Sequence, residues 1–410
     1  MKRRMNGEGT IYFDKQKKLW IGQKTINGKR RKVSSKTQKE LKEKLKNLDN
    51  NLTTNSSLTL LQIIEKTEKN KLAANIINEG TYYRNTATVK HIKDSNLSNI
   101  NIVKITSSQI QIFLNSKLNL SQSYINKIYN MINDAFEKAI QENLILRNPM
   151  LNVALPTSQQ ITKEVIAFEV NEQIKLINYI LSHDLIGTST CNYDSITIKN
   201  LILLALFDGM RGGELGAINY NLDINMIDEC FEIKRSLTKD INGNVKIGTT
   251  TKTGKAQIRK GREDKKIIPF ATYNKDVIYS ILDEQLTLAK NNLNNTNNLL
   301  FCRKDGNPIV LTEINHIFKR ICREAGVKLN LPKGCHFHML RHTFATRCIE
   351  AGIPLPVIAK LLGHTSTKQI EKTYGHILDK FRNKQLENLN AYYSKENIIF
   401  INKFKEQKNA

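Results

Sequence analysis

Apolar residues recur along this chain with two different periods, and the switches between them divide it into pieces. Residues 10–14, 19–26 and 29–34 read as three strands, joined by a lysine-rich turn and by Asn27-Gly28. Asn-Gly is the strongest two-residue hairpin signal, because both central positions of a type I′ turn need positive φ. Leu41, Leu45 and Leu48 then follow at spacings of four and three, which predicts a helix, and Trp20 is there to pack beneath the sheet. From residue 58 to about 153 the period is helical, with helices predicted near 59–70, 79–94, 107–117 and 121–142. The last carries the stripe Tyr124, Ile128, Ile132, Ala135, Phe136 and Ala139, with Ser121 placed to cap it. Asn148-Pro149 closes this piece, since proline disfavours helix at the preceding residue. A third piece opens with helices, among them an apolar one over 196–207. It changes to short strands between Leu222 and Phe270, with turns at Asn242-Gly243 and Thr253-Gly254, and returns to helices after Tyr273. An asparagine-rich loop covers 291–298.

The pattern predicts an α+β protein, mainly α. A small three-stranded sheet plus helix fills 1–50, an all-α domain 58–154 and a mixed α/β domain 164–390, followed by a tail over 391–410. The polar stretches 50–57 and 155–163 are linkers.

Charge sharpens this picture. The 410 residues hold 63 Lys and Arg against 38 acids, a net charge of +25. The first fifty residues alone carry 16 against five, a net of +11. Such a surface gains by releasing counterions when it meets phosphates, so a polyanionic partner is expected. A solvated basic hairpin, or the composition of an AT-rich genome, would give the same charge. The longest apolar run, 201–207, is far too short to span a bilayer, and polar residues follow the basic start where a signal peptide needs an apolar segment. The expectation is a soluble cytoplasmic protein with no membrane partner. Six cysteines with no Cys-x-x-Cys pair read as reduced thiols.

Three clusters carry candidate chemistry. In Gly209-Met210-Arg211-Gly212-Gly213-Glu214, an arginine beside glycines at a helix end can offer its fork of donors to a phosphate; an Arg–Glu surface pair is the blander explanation. In His336-Phe337-His338-Met339-Leu340-Arg341-His342, a helix starting near His338 puts His338 and Arg341 on one face, with Leu340 and Phe344 turned to the core. Three imidazoles so close raise a metal alternative, but no acid or cysteine stands at suitable ligand spacing. In Leu361-Leu362-Gly363-His364, Gly363 reads as a helix-ending glycine that leaves His364 at a loop mouth. Thr373-Tyr374-Gly375-His376 follows. A lone tyrosine is usually packing, and a phenol of pKa about 10 is a poor nucleophile unassisted. Taken together, two arginines, two histidines and a tyrosine suit phosphodiester transesterification: the arginines neutralise the phosphate oxygens and imidazoles donate hydrogen bonds or shuttle the tyrosyl proton.

The ordered set Arg…Lys…His-x-x-Arg…Leu-Gly-His…Tyr resembles the tyrosine recombinase (phage integrase) family, over nearly all of the last domain. The helical piece resembles that family's core-binding domain, and the N-terminal unit resembles the arm-type DNA-binding domain of integrases from temperate phages and conjugative transposons. The resemblance implies catalytic roles for Arg211, Lys252, His338, Arg341 and His364, with Tyr374 as nucleophile. Lys255 and Lys260 are rivals to Lys252, and Tyr392 and Tyr393 are fallbacks for Tyr374. It further implies a site-specific recombinase that needs no cofactor, neither metal nor ATP, and works through a 3′-phosphotyrosyl intermediate to integrate and excise a mobile element or prophage. The implied partners are double-stranded DNA at core and arm attachment sites, three further copies in a homotetramer, an excisionase and a host DNA-bending protein. A type IB topoisomerase and a DNA-binding protein with degenerate chemistry are the competing readings.

Overall fold

Strands β1 (Thr10–Asp14), β2 (Leu19–Ile26) and β3 (Lys29–Ser35) pair antiparallel in sequence order. Helix α1 (Gln38–Asn50) packs against β2 and β3, burying Leu41 and Leu45, and Ile21 of the sheet is buried as well. Trp20 is half-buried with its ring 5.3 Å from that of Phe13. Lys24 lies directly across from Arg31. Like charges opposite one another weaken a sheet.

The structure is a computed structural model that describes residues 10–26, 29–50, 57–160, 166–186, 191–249, 266–270, 275–328, 331, 334–364 and 366–395. The turns at Asn27-Gly28 and Thr253-Gly254 lie outside them. The chain divides into two compact units, Met1–Thr162 and Lys163–Ala410.

Besides the sheet, the first unit holds α2 (Leu60–Ala73), α3 (Glu79–Lys93), α4 (Ser107–Asn115) and α5 (Gln122–Gln141). Local capping explains their starts. Thr59 with Gln62 and Thr106 with Gln109 form reciprocal capping boxes, and the Asn78 side chain accepts from the backbone of Thr81. Ile64, Ile92, Ile110, Ile132 and Phe136 meet in one apolar core. One local expectation fails. Ser121 stands at the cap position of α5, but its hydroxyl lies 3.3 Å from that of Ser123 and caps no backbone amide.

The second unit opens with α6 (Val170–Ser182) and α7 (Ser195–Asp208). The run Leu201–Phe207 on α7 is buried on every side, which explains why its sequence shows no amphipathic stripe. After the short helix α8 (Gly212–Leu215), strands β4 (Ile224–Asn225) and β5 (Cys230–Ile233) begin a sheet. β6 (Leu237–Lys239) and β7 (Val245–Ile247) form a separate hairpin, and β8 (Lys266–Pro269) returns to pair with β5. Helices α9 (Lys275–Asn291), α10 (Leu311–Glu324), α11 (His338–Glu350), α12 (Leu355–Leu362) and α13 (Lys368–Lys395) complete the unit. α11 packs on α7, and its Leu340 enters the same core as Leu204, Phe231 and Phe318. The protein is thus mainly helical with small antiparallel sheets. Among the described residues, no helix is long and apolar enough to cross a membrane.

Candidate active site

Arg211 sits where α7 gives way to α8. α7 ends on Gly209 with φ +62, a left-handed conformation that glycine adopts without Cβ strain. A Cβ there would lie 2.3 Å from the Phe344 ring, so close packing demands glycine a second time. The turn delivers Arg211 to the start of α8, where its backbone N–H donates to Glu214 Oε2 at 3.1 Å and its Nη1 donates to Glu214 Oε1 at 2.6 Å. Glu214 is 1% exposed, and its Oε2 also receives a hydrogen bond from Lys266 Nζ at 3.0 Å. Burial alone would raise this carboxyl, but Lys266, Arg211 and Arg341 outweigh it and hold the group down at about 2. Burial pushes Lys266 the other way, to about 8, against the attraction of Glu214.

α11 supplies the second arginine. Arg341 is 3% exposed and spends its donors on two helix ends: Nη1 donates to Gly209 O at 2.8 Å and Nη2 to Leu362 O at 2.5 Å. Burial and the Arg211 charge lower its pKa to about 10, so the guanidinium stays charged at neutral pH. Gly363, at φ +65, ends α12 as expected and turns the chain into His364. Arg341 Nη2 lies 3.0 Å from His364 Nε2. A guanidinium only donates, so Nε2 accepts and the His364 proton belongs on Nδ1. Nδ1 is buried without a partner among the described residues, which leaves one N–H with its hydrogen-bonding capacity unmet. Burial, with Arg341, Arg211 and Lys266 behind it, holds this imidazole near 4, neutral at ordinary pH.

Tyr374 completes the arrangement from α13. Its backbone (φ −120, ψ 15) breaks that helix into two stretches, near the sparsely populated bridge region in which many active-site residues sit. The ring packs among Ile358, Leu362 and Ile370, and its hydroxyl lies 2.8 Å from Nδ1 of His342 on α11. Burial raises the phenol above its ordinary pKa, an effect the Arg341 charge opposes. His338, the first residue of α11, is exposed and meets the His342 ring edge-on at 4.6 Å between centroids.

Five of the six expected site residues therefore belong to connected elements of one unit. Arg211, Arg341 and His364 share a network of charge and hydrogen bonds, and Tyr374 and His338 adjoin it through His342. Lys252, with its rivals Lys255 and Lys260, lies outside the described residues. Tyr392 is 56% exposed on the far part of α13; the Tyr393 side chain is not described. Sequence reading missed Lys266 and His342 and saw in Glu214 no more than a salt bridge. The spacing of Glu214, three after Arg211, was the available signal, since a glutamate at that position can accept from the backbone N–H of the residue that starts the helix, one half of a capping box. Among the described residues, no group of three His, Cys, Asp or Glu side chains is placed to hold a metal ion.

The chain is similar to several known proteins. A family model described as "Phage integrase family" matches residues 177–381. A tyrosine recombinase XerC-like protein of Caldanaerobacter subterraneus subsp. tengcongensis is 26% identical over 392 residues, covering 90% of this chain and 93% of its own. The ICEBs1 integrase of Bacillus subtilis is 27% identical over 311 residues, covering 75% of this chain and 76% of its own. Among solved structures, the Tn1549 transposon integrase in complex with circular intermediate DNA superposes with a TM-score of 0.60 at 18% identity, over 78% of this chain and 95% of that one. A lambda integrase tetramer bound to a Holliday junction gives 0.51 at 17% identity, over 89% and 97%. These likenesses establish the fold.

Proposed function

The chain belongs to the phage integrase family, and on that premise we propose that it is a site-specific DNA recombinase in which Tyr374 cuts and rejoins strands through a 3′-phosphotyrosyl bond. It is an enzyme of DNA strand transfer, and its relatives do not favour the topoisomerase or the inactive binding protein. The observation that carries the chemistry is the meeting of Arg211, Arg341 and His364 in one charged network, with the Tyr374 hydroxyl held against the same helix as Arg341.

Tyr374 Oη attacks the scissile phosphorus. Arg211 and Arg341 neutralise the non-bridging oxygens, where removal of one preorganised donor typically costs roughly 10²–10³ in rate. His338 and His364 contribute hydrogen bonds to the same oxygens. Lys252 protonates the departing 5′ oxygen, with Lys255 and Lys260 as alternatives. The 5′ hydroxyl of the partner strand then reverses the step. The ester bond conserves the energy, so the cycle runs without ATP or a divalent metal.

Integration of a mobile element or prophage, and its excision, is the role that the phage and conjugative-element relatives support. The lambda tetramer on a Holliday junction supports four copies acting on two duplexes. The division into an arm-binding piece over 1–50, a core-binding piece over 58–154, a catalytic piece over 164–390 and a tail over 391–410 is part of the same proposal. So are an excisionase, a host bending protein and a cytoplasmic location. The decisive test is Tyr374→Phe on a nicked duplex spanning the element's end. Covalent trapping should vanish while DNA affinity stays nearly intact, because only one hydroxyl is lost. A surviving protein–DNA adduct would move the nucleophile to another residue, Tyr392 or Tyr393 first.

A further inference from the structure

The Tyr374 hydroxyl and the His342 imidazole meet at 2.8 Å between Oη and Nδ1, with ring centroids 5.9 Å apart. His342 follows Arg341 directly and lies one helical turn after His338 on α11. Of the two histidines given roles above, His364 has its Nε2 taken by Arg341, and His338 is exposed at the first position of the helix. Among the described side chains, His342 is the imidazole that touches the attacking oxygen.

We propose that His342 is a further catalytic residue, the base whose Nδ1 takes the Tyr374 proton as the phenol attacks. This rests on Tyr374 being the nucleophile. A phenol attacks weakly until its proton leaves, and a general base must lie within roughly 2.6–3.2 Å of the atom it deprotonates. A neutral imidazole carries one donor and one acceptor, so for Nδ1 to accept the Tyr374 proton its own proton must stand on Nε2. Burial, and then the neighbouring His338, His336 and Arg341, hold His342 at about 3, so its lone pair is free at neutral pH. Those neighbours oppose imidazolium formation in the free protein. The negative charge of a bound phosphodiester acts in the opposite sense, which makes His342 more basic once substrate is seated. The backbone break at Tyr374 gives this hydrogen bond a second use, since the bond aims a side chain that stands at a helix discontinuity.

In the forward step the Oη–P bond forms as the P–O5′ bond breaks. The Tyr374 proton passes to His342 Nδ1, and the 5′ oxygen takes its own proton from the lysine assigned above. In rejoining, the 5′ hydroxyl attacks phosphorus, the Oη–P bond breaks, and His342 returns its proton to Oη.

The test uses the full chain and the same nicked duplex, comparing His342→Asn with His342→Phe. Asparagine keeps an acceptor near the Nδ1 position but cannot take up a proton, whereas phenylalanine keeps the shape with no acceptor. Both should slow first-turnover adduct formation by roughly 10²–10⁴ with DNA affinity little changed. A fluorinated tyrosine placed at position 374 has a more acidic phenol and should restore much of the rate to His342→Asn. Cleavage by the Asn variant at the wild-type rate would overturn the proposal, leaving only an aiming role. A loss that the fluorinated tyrosine does not relieve would overturn it too, since that loss would be structural. An adduct that persists in Tyr374→Phe marks a different failure, that of the nucleophile assignment, and the proposal falls with it.

Discussion

Glu214 shows how tightly single residues are matched in this site, because one buried carboxylate answers three cations. Its pKa is held below its ordinary 4.5, at about 2. A depressed carboxyl contributes stability that is fully present above its unfolded pKa and is lost as pH falls through the folded one. Lys266→Met removes the cation that lowers this carboxyl most and leaves burial less opposed, so the Glu214 pKa should climb and acid unfolding should begin at a higher pH. At neutral pH Arg211 still pairs with the carboxylate, so denaturant unfolding should show a loss smaller than the roughly 3–5 kcal/mol that an uncompensated buried charge costs. Adding Glu214→Leu should deepen the loss, because it leaves Arg211 and the buried Arg341 without their carboxylate. An unchanged acid limb in Lys266→Met would mean that Arg211 and Arg341 hold the carboxylate unaided. At this scale the legible residues were those that stand in short strings. Arg211, His338, Arg341, His364 and Tyr374 could be picked from local motifs. Lys266 could not, since it opens an Ile-Ile-Pro strand 52 residues from the carboxylate it pairs with. His342 was quoted within its string yet passed over, because its partner lies 32 residues downstream and only the packing of α13 on α11 brings them together.

Two helix ends, those of α7 and α12, converge on Arg341, and the left-handed glycines that terminate them set the geometry of the site. Gly209→Ala should be costly for two separable reasons. A left-handed non-glycine residue costs roughly 1–2 kcal/mol, and the new Cβ would collide with the Phe344 ring at 2.3 Å. Gly326, also left-handed at φ +68, has nothing within 4 Å of where a Cβ would go, so Gly326→Ala isolates the backbone cost. Unfolding should therefore show a larger loss for Gly209→Ala than for Gly326→Ala, and only the former should slow cleavage, since Gly209 O is an anchor of Arg341. Equal losses would refute the packing argument. Most elements were legible at this level, because local signals mark them: short strand-like runs bounded by turn residues for the first sheet, polar caps and apolar stripes for α2 to α5. The pairing of β8 with β5 was not, as it joins Ile233 to Lys266 across a long insertion and no local period encodes such a partner. The Ser121 cap was misjudged for a smaller reason. The residue type suits the position, but hydroxyl orientation depends on a neighbour, here Ser123.

Across the whole chain, charge and chemistry are segregated. The first fifty residues carry a net +11 of the total +25, whereas every described site residue from Arg211 to Tyr374 lies in the second unit. If the first sheet reads separate arm sites and the second unit does the chemistry, the two activities should be separable. Deleting residues 1–50 should then spare adduct formation on a core-site duplex and abolish binding to arm-site DNA, and with it recombination of complete attachment sites. A subtler variant keeps the sheet and changes its charge. Arg30, Arg31 and Lys32 on β3 are all exposed, so replacing them with serine should leave folding nearly unaffected. Each phosphate that the variant no longer neutralises should reduce the steepness of arm-site binding by about 0.9 in the log–log dependence on salt. The change should even relieve the Lys24–Arg31 opposition, so the variant sheet should be no less stable while binding more weakly. Affinity measured at several salt concentrations, beside thermal unfolding of the same variant, separates the two effects. Unaltered salt dependence, or normal integration by the truncated chain, would make the basic sheet a solvated appendage and leave DNA recognition to the rest of the protein.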